Sequence, residues 1–203
     1  MTGRQAQVTA GPTRREALRT AVAGAAVAGL AALGPGRDGS ASAAPPSAAM
    51  DAEILQAFLE LEEAQQGFYA QAARERRLTG ELRAFARIVG GQEAEHIAAL
   101  RRLLEGRGRG AKTVAVGEAL SSPDAFRQSA IALEEAVIAA YVGQGGNLTR
   151  KAVAAVTPMV SVEARQVAWL RDLAGVNPAP RAADAARPIP DVVRELHEKG
   201  LLA

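Results

Sequence analysis

The sequence contains no cysteine, only two histidines and only seven aromatic residues among its 203 positions. The absence of cysteine excludes disulfides, thiolate metal ligands and a lipid-modified cysteine. Apolar residues still make up 48% of the chain, and many of them are alanine. Small residues suit closely packed helices, and no stretch alternates apolar and polar residues with the period of a β-strand. We therefore expect an all-α protein that forms one domain with extensions.

Beyond residue 43 the sequence also lacks the excess of basic residues that is typical of proteins that bind nucleic acid. Its formal net charge is +2, but residues 1–43 hold five arginines against two acids. The remaining residues carry 19 basic and 20 acidic side chains, so they are close to neutral. A nucleic-acid partner is therefore not expected.

The first 43 residues have the layout of a secretory signal. A basic segment, Thr13–Arg19, precedes an apolar run, Ala21–Leu33, and a small-residue exit at Ala41–Ala43. The apolar run has 13 residues, whereas a bilayer-spanning helix needs roughly 20. We predict a cleaved signal and no stable membrane span afterwards, with an uncleaved anchor as the alternative.

The paired arginines Arg14 and Arg15 resemble the twin-arginine export motif, although Ala17 stands where that motif usually has Phe. The resemblance implies that the twin-arginine export machinery is a partner and that the protein is exported to the periplasm, the cell envelope or the extracellular space. The mature chain should begin near Ala44, and residues 44–51 should be a linker.

An internal duplication is the most informative feature of the rest of the chain. The pattern Leu-Glu-Glu-Ala-x-x-x-x-Tyr occurs at Leu61–Tyr69 and again at Leu133–Tyr141. Each copy is followed by Glu-x-x-His or its near match, Glu93 to His96 and Glu163 to Gln166. The first and second glutamates are 31 residues apart in one half and 29 in the other. This repeat indicates two copies of a helical hairpin with one acid on each helix.

Apolar periodicity and start signals predict four helices within a domain of residues 52–175. A long connector, Gly106–Leu120, can reach the full length of the bundle and permits a crossover between helices two and three. Residues 176–203 should form a Pro/Ala-rich tail with a short C-terminal helix. The predicted helices cover about 51–76, 81–105, 123–145 and 148–174.

The four repeated glutamates, Glu62, Glu93, Glu134 and Glu163, each lie near the middle of a predicted helix and on its apolar stripe. In an up-and-down bundle they would therefore converge in one layer. Buried carboxylates without cations repel one another and lose hydration, so a divalent metal is the expected compensation. His96, three residues after Glu93, can ligate the same ion. The alternative is that these acids are solvated between helices, or protonated and hydrogen-bonded in the core.

Three polar side chains are candidates to support the ligands. Tyr69 and Tyr141 follow Glu62 and Glu134 by seven residues, and helical side chains lean toward the N-terminus. We therefore expect each hydroxyl to approach the glutamate of its own helix. Gln65, three residues after Glu62, is a similar candidate.

With these motifs, residues 52–175 resemble the ferritin-like di-iron carboxylate family, and more closely its exported bacterial branch akin to desiccation-related proteins. The resemblance implies a ferritin-like four-helix bundle with a long crossover between helices two and three. Gln166 stands at the position of the family's second histidine, where its neutral amide would be a weak ligand. The loss of this nitrogen ligand leaves an oxygen-rich site, which favours harder ions such as Mn²⁺. The family's ligand positions correspond to Glu62, Glu93, His96, Glu134, Glu163 and Gln166.

Two functions follow from this resemblance. The first is an exported bundle that binds one or two iron or manganese ions and either sequesters them or uses them in redox chemistry. The alternative is a non-catalytic bundle with a degenerate site and no ion, which acts in stress protection or protein association. Both leave catalysis and homo-oligomerisation open.

Overall fold

The computed structural model describes residues 45–110 and 116–202, and within these ranges the secondary structure is helical. No strand is assigned there, which confirms the expected all-α class. The predicted signal segment, including Arg14 and Arg15, lies outside the described residues. No helix in the described ranges is long and apolar enough to cross a membrane. The α-helices are α1 (Ala48–Ala72), α2 (Gly80–Leu103), α3 (Pro123–Gln144), α4 (Arg150–Leu173) and α5 (Ile189–Glu198).

The helix starts follow local capping chemistry. The Ser47 hydroxyl accepts a hydrogen bond from the Met50 backbone amide at 3.2 Å, so α1 begins three residues before the predicted Asp51. The start of α3 matches the prediction, with Ser122 as the cap and Pro123 in the first turn. By contrast, α1 ends at Ala72 and not near residue 76, because the following residues form a tight turn that buries Leu78.

Aromatic contacts and one polar contact fix the directions of the four long helices. Tyr69 near the end of α1 packs on Phe85 near the start of α2, so these helices are antiparallel. Phe68 stacks on Phe126 at the start of α3, with ring centroids 5.7 Å apart, so α1 and α3 are also antiparallel. At the opposite end, Asp51 accepts a hydrogen bond from the Thr149 backbone amide at 2.8 Å, which places the starts of α1 and α4 together.

These directions confirm the predicted crossover. Since α2 and α3 run the same way, the chain between them must return along the bundle. Its first part lies against α1, where the Gln56 side-chain amide exchanges two 2.9 Å hydrogen bonds with the Arg109 backbone. The two hairpins are thus joined as a single-crossover bundle.

The C-terminal tail forms a strap on α3. The Arg187 backbone amide donates to the Ala139 carbonyl at 2.9 Å. The strap approaches α3 so closely at Gly143 that a Cβ there would lie 2.1 Å from the Arg187 carbonyl oxygen. Helix α5 then buries Val192 and Leu196.

Candidate metal centre

The structure places the four repeated glutamates inside the bundle, one from each long helix. Glu62, Glu93, Glu134 and Glu163 all have 0% relative exposure. His96 and Gln166 are buried beside them. None of the four acids reaches solvent, which excludes the alternative of solvated acids between helices. The remaining alternatives are metal binding and a protonated, hydrogen-bonded core.

The centre is organised around the imidazole of His96. Its Nδ1 lies 3.2 Å from Glu62 Oε2, 3.2 Å from Glu93 Oε2 and 3.0 Å from Glu163 Oε1. These oxygens come from α1, α2 and α4, so three helices contribute to one point. A single N–H cannot donate well to three acceptors. Although Glu163 Oε1 lies this close to Nδ1, it has no hydrogen-bond partner.

Glu134 belongs to the same layer but has different neighbours. Its Oε2 accepts a 2.9 Å hydrogen bond from Gln65 Nε2, and its Oε1 accepts one from the Tyr69 hydroxyl. The same Gln65 nitrogen also donates to Glu163 Oε2 at 3.0 Å. Gln65 therefore connects two carboxylates from α3 and α4, and the expectation that it supports Glu62 is wrong.

The two tyrosines exchange partners relative to the prediction. The Tyr141 hydroxyl donates to Glu62 Oε1 at 2.5 Å, and the Tyr69 hydroxyl donates to Glu134. The expectation that each hydroxyl would reach the glutamate of its own helix is wrong, because the glutamate side chains also lean away from these hydroxyls. Every helical side chain leans toward its own N-terminus. In the antiparallel α1 and α3, Glu62 consequently leans toward the end of the bundle that holds Tyr141.

Gln166 presents the wrong atom to be a ligand. Its Nε2 donates to Glu93 Oε1 at 2.9 Å and to Gln92 Oε1 at 3.1 Å, while its own Oε1 makes no hydrogen bond. To ligate a cation through Oε1, the amide would have to rotate and give up both bonds. Sequence reasoning missed Gln92, whose only signal is its position next to Glu93.

Burial shifts the protonation of the cluster. It raises the pKa of Glu93 to about 10, and it is also the main cause that raises the pKa of Glu134 well above its usual range. For His96 burial acts in the opposite direction, but the contacts with Glu163, Glu62 and Glu93 outweigh it and raise the pKa to about 12. Burial would raise the pKa of Glu163 as well, yet its contact with His96 holds that pKa below the usual value.

At neutral pH the metal-free cluster therefore compensates its acids with protons. Glu93 and Glu134 are neutral, while His96 carries a positive charge next to the Glu163 carboxylate. Burial, followed by the nearby glutamates, also raises the pKa of Tyr69 and Tyr141, so both hydroxyls remain donors.

The donor set fits a metal ion. One ligand atom from each of Glu62, Glu93, His96 and Glu163 can be chosen so that all four atoms lie within 4.8 Å of one another. Three carboxylate oxygens and one imidazole nitrogen form a hard to borderline set that suits iron or manganese. Glu134 is outside this group.

The family of the chain follows from this fold and this cluster together with a family comparison. The model of the ferritin-like domain family matches residues 50–176. The chain belongs to the ferritin-like domain family. The match covers the four long helices of the ferritin-like bundle, apart from the first two residues of α1, and every residue of the buried cluster. A search of curated proteins finds no match to this chain.

Proposed function

We propose that this protein is an exported ferritin-like bundle that binds one divalent iron or manganese ion through Glu62, Glu93, His96 and Glu163. The observation that carries the proposal is the convergence of three carboxylate oxygens on His96 Nδ1 within 3.2 Å. One proton cannot satisfy all of these contacts, but a cation can accept all four ligand atoms.

The burial of the ligands favours retention of the ion. The three carboxylates have no exposed surface, and His96 is only 8% exposed. When bound, an iron or manganese ion supplies one-electron redox chemistry. The protein residues orient the ligands, because Tyr141 donates to the Glu62 oxygen that faces away from His96. Sequestration of the ion, with redox cycling as a second role, is the function that we assign.

Metal-dependent stabilisation tests this proposal. An ion that binds only the folded state adds ~2.7 kcal/mol when its free concentration is a hundredfold above its dissociation constant. For a bundle of this size that corresponds to a rise in melting temperature of about 5–10 °C. We expect this rise when Mn²⁺, or Fe²⁺ without oxygen, is added to the metal-stripped protein.

The matched variants are Glu93→Ala and Glu95→Ala. Glu95 lies on the same helix but is exposed, so its loss should leave the response intact, whereas Glu93→Ala should abolish it. Metal analysis of the protein recovered from the exported fraction then identifies the ion. A melting temperature that does not change when any divalent ion is added would refute the proposed site.

A specific observation also supports the non-catalytic alternative. The protonated His96 and the amides of Gln65 and Gln166 already compensate the acids without an ion. Under this reading the bundle is a stable scaffold for stress protection or protein association. Recovery of the exported protein without bound metal, together with the absence of a melting response, would favour it.

A further inference from the structure

We propose that Gln65 limits the centre to a single ion, because its side-chain amide occupies the position beside Glu134 that a second ion would take. The inference rests on the proposed function, since it concerns how many ions that centre holds. Gln65 is not itself one of the four proposed metal ligands.

The position of the amide is fixed by two carboxylates from different helices. Gln65 Nε2 lies 2.9 Å from Glu134 Oε2 and 3.0 Å from Glu163 Oε2, so it sits between α3 and α4. The side chain has no exposed surface, and its Oε1 makes no hydrogen bond. The amide is therefore held by its two N–H groups alone.

An amide nitrogen in this position excludes a cation. It carries two donors and no available lone pair, so it cannot become a ligand. A hard divalent ion would need the same oxygens at about 2.1 Å, which places the ion where the NH₂ group lies. The hydrogen bond to the Glu163 carboxylate is of the strong type that an ionised acceptor gives. A second ion would have to break both this bond and the one to Glu134.

The two halves of the centre differ in this respect. Around His96 the carboxylate oxygens face a nitrogen that becomes a ligand once it loses its proton. Beside Glu134 they face the donors of Gln65. Gln166 adds to the difference between the two halves of the centre, because its Nε2 donates a hydrogen bond to Glu93 Oε1. It reaches only one carboxylate of the cluster, however, whereas Gln65 reaches two, so we expect Gln65 to control the number of ions.

The number of Mn²⁺ ions per chain tests the proposal directly. Equilibrium dialysis of the full chain with Mn²⁺, followed by metal analysis, should give about one tight ion for the wild type and about two for Gln65→Ala. The matched control is Gln66→Ala, the same change at the adjacent, half-buried position, which should retain one ion. Gln65→Glu keeps the length of the side chain and replaces its donors by a carboxylate, so it should also bind two.

Electron paramagnetic resonance supplies a second measurement on the same samples. An isolated Mn²⁺ gives a six-line spectrum, and a second Mn²⁺ on bridging carboxylates couples to it and broadens those lines. We expect the isolated spectrum for the wild type and the coupled one for both Gln65 variants.

The outcomes distinguish a failure of the inference alone from a failure of the proposed function. Two ions in the wild type, or one ion in a folded Gln65 variant, would overturn the role of Gln65 and leave the metal centre standing. If Gln166→His alone gained the second ion while Gln65 was intact, Gln166 would set the number and the inference would be wrong. If no protein bound Mn²⁺, the proposed function would fail and the inference with it. Should both Gln65 variants fail to fold, Gln166→His decides. One ion in that variant is the expected result, because Gln65 is intact, and two ions would overturn the inference.

Discussion

Binding of one ion to the His96 cluster should release about two protons near pH 7. Metal ligands must be deprotonated, so an ion displaces any protons that they carry. Glu93, with a pKa of about 10, and His96, with a pKa of about 12, both carry one at neutral pH. Glu163 releases none, because its pKa is lowered.

The magnitude follows from linkage. Each proton displaced by an ion makes the apparent affinity rise about tenfold per pH unit, or ~1.4 kcal/mol. Two protons therefore predict an increase of about 100-fold per pH unit. Both groups stay protonated until the pH approaches the lower of the two pKa values, so this slope should persist from about pH 7 to about pH 9.

Calorimetry of Mn²⁺ binding in buffers with different enthalpies of ionisation measures the released protons directly. Glu93→Gln is the matched control, because glutamine keeps the shape and a weak oxygen ligand but has no proton to lose by titration. In that variant the release should fall to about one. If the wild type binds Mn²⁺ with no proton release, Glu93 and His96 are not the protonated ligands that the geometry indicates.

Three further predictions concern other parts of the molecule and the metal-free state. An acid or histidine whose pKa is raised on folding holds a proton that the unfolded chain has lost, so its contribution to stability falls as the pH rises. The chelator-treated protein should therefore lose melting temperature between about pH 6.5 and pH 10, and a flat or rising profile would contradict the raised pKa values. Gly143→Ala should destabilise the protein by about 1–3 kcal/mol in urea melts, because the new Cβ would collide with the Arg187 carbonyl; a neutral effect would mean that the strap is not held there. Arg14→Lys combined with Arg15→Lys should leave full-length precursor in the cytoplasm on immunoblots of cell fractions, and normal export of the double variant would argue against a twin-arginine signal.

Most of the fold could be predicted from the sequence because the duplication shows the pattern of the same helical hairpin twice. The glutamates of each half fall on the apolar stripe at mid-helix, and that was enough to predict their burial in one layer. The length of the connector showed that a crossover was possible but did not require one. Its direction depends on which helix ends meet, and contacts such as Phe68 with Phe126 appear only in three dimensions.

The burial of the candidate residues was predictable, but their contacts were not. Spacing along one helix shows which face a side chain shares, and it says nothing about which neighbouring helix that face meets. For this reason Gln65 was correctly expected in the interior and wrongly assigned to Glu62. The amide of Gln166 was expected to offer its oxygen, and only the position of Gln92 and Glu93 shows that its nitrogen faces the cluster.

The exchanged tyrosine bonds have a consequence for the symmetry of the bundle. Tyr69 of the first half donates a hydrogen bond to Glu134 of the second, and Tyr141 of the second half donates one to Glu62 of the first. Such reciprocal contacts, in which position i meets j and j meets i, are those that two identical subunits make across a twofold axis. A single hairpin carrying one copy of the repeat would leave its tyrosine without an acceptor until a second copy docked against it. The two tyrosine–glutamate hydrogen bonds can thus set the register of the two hairpins. A displacement of one hairpin along the bundle axis would break both bonds at once.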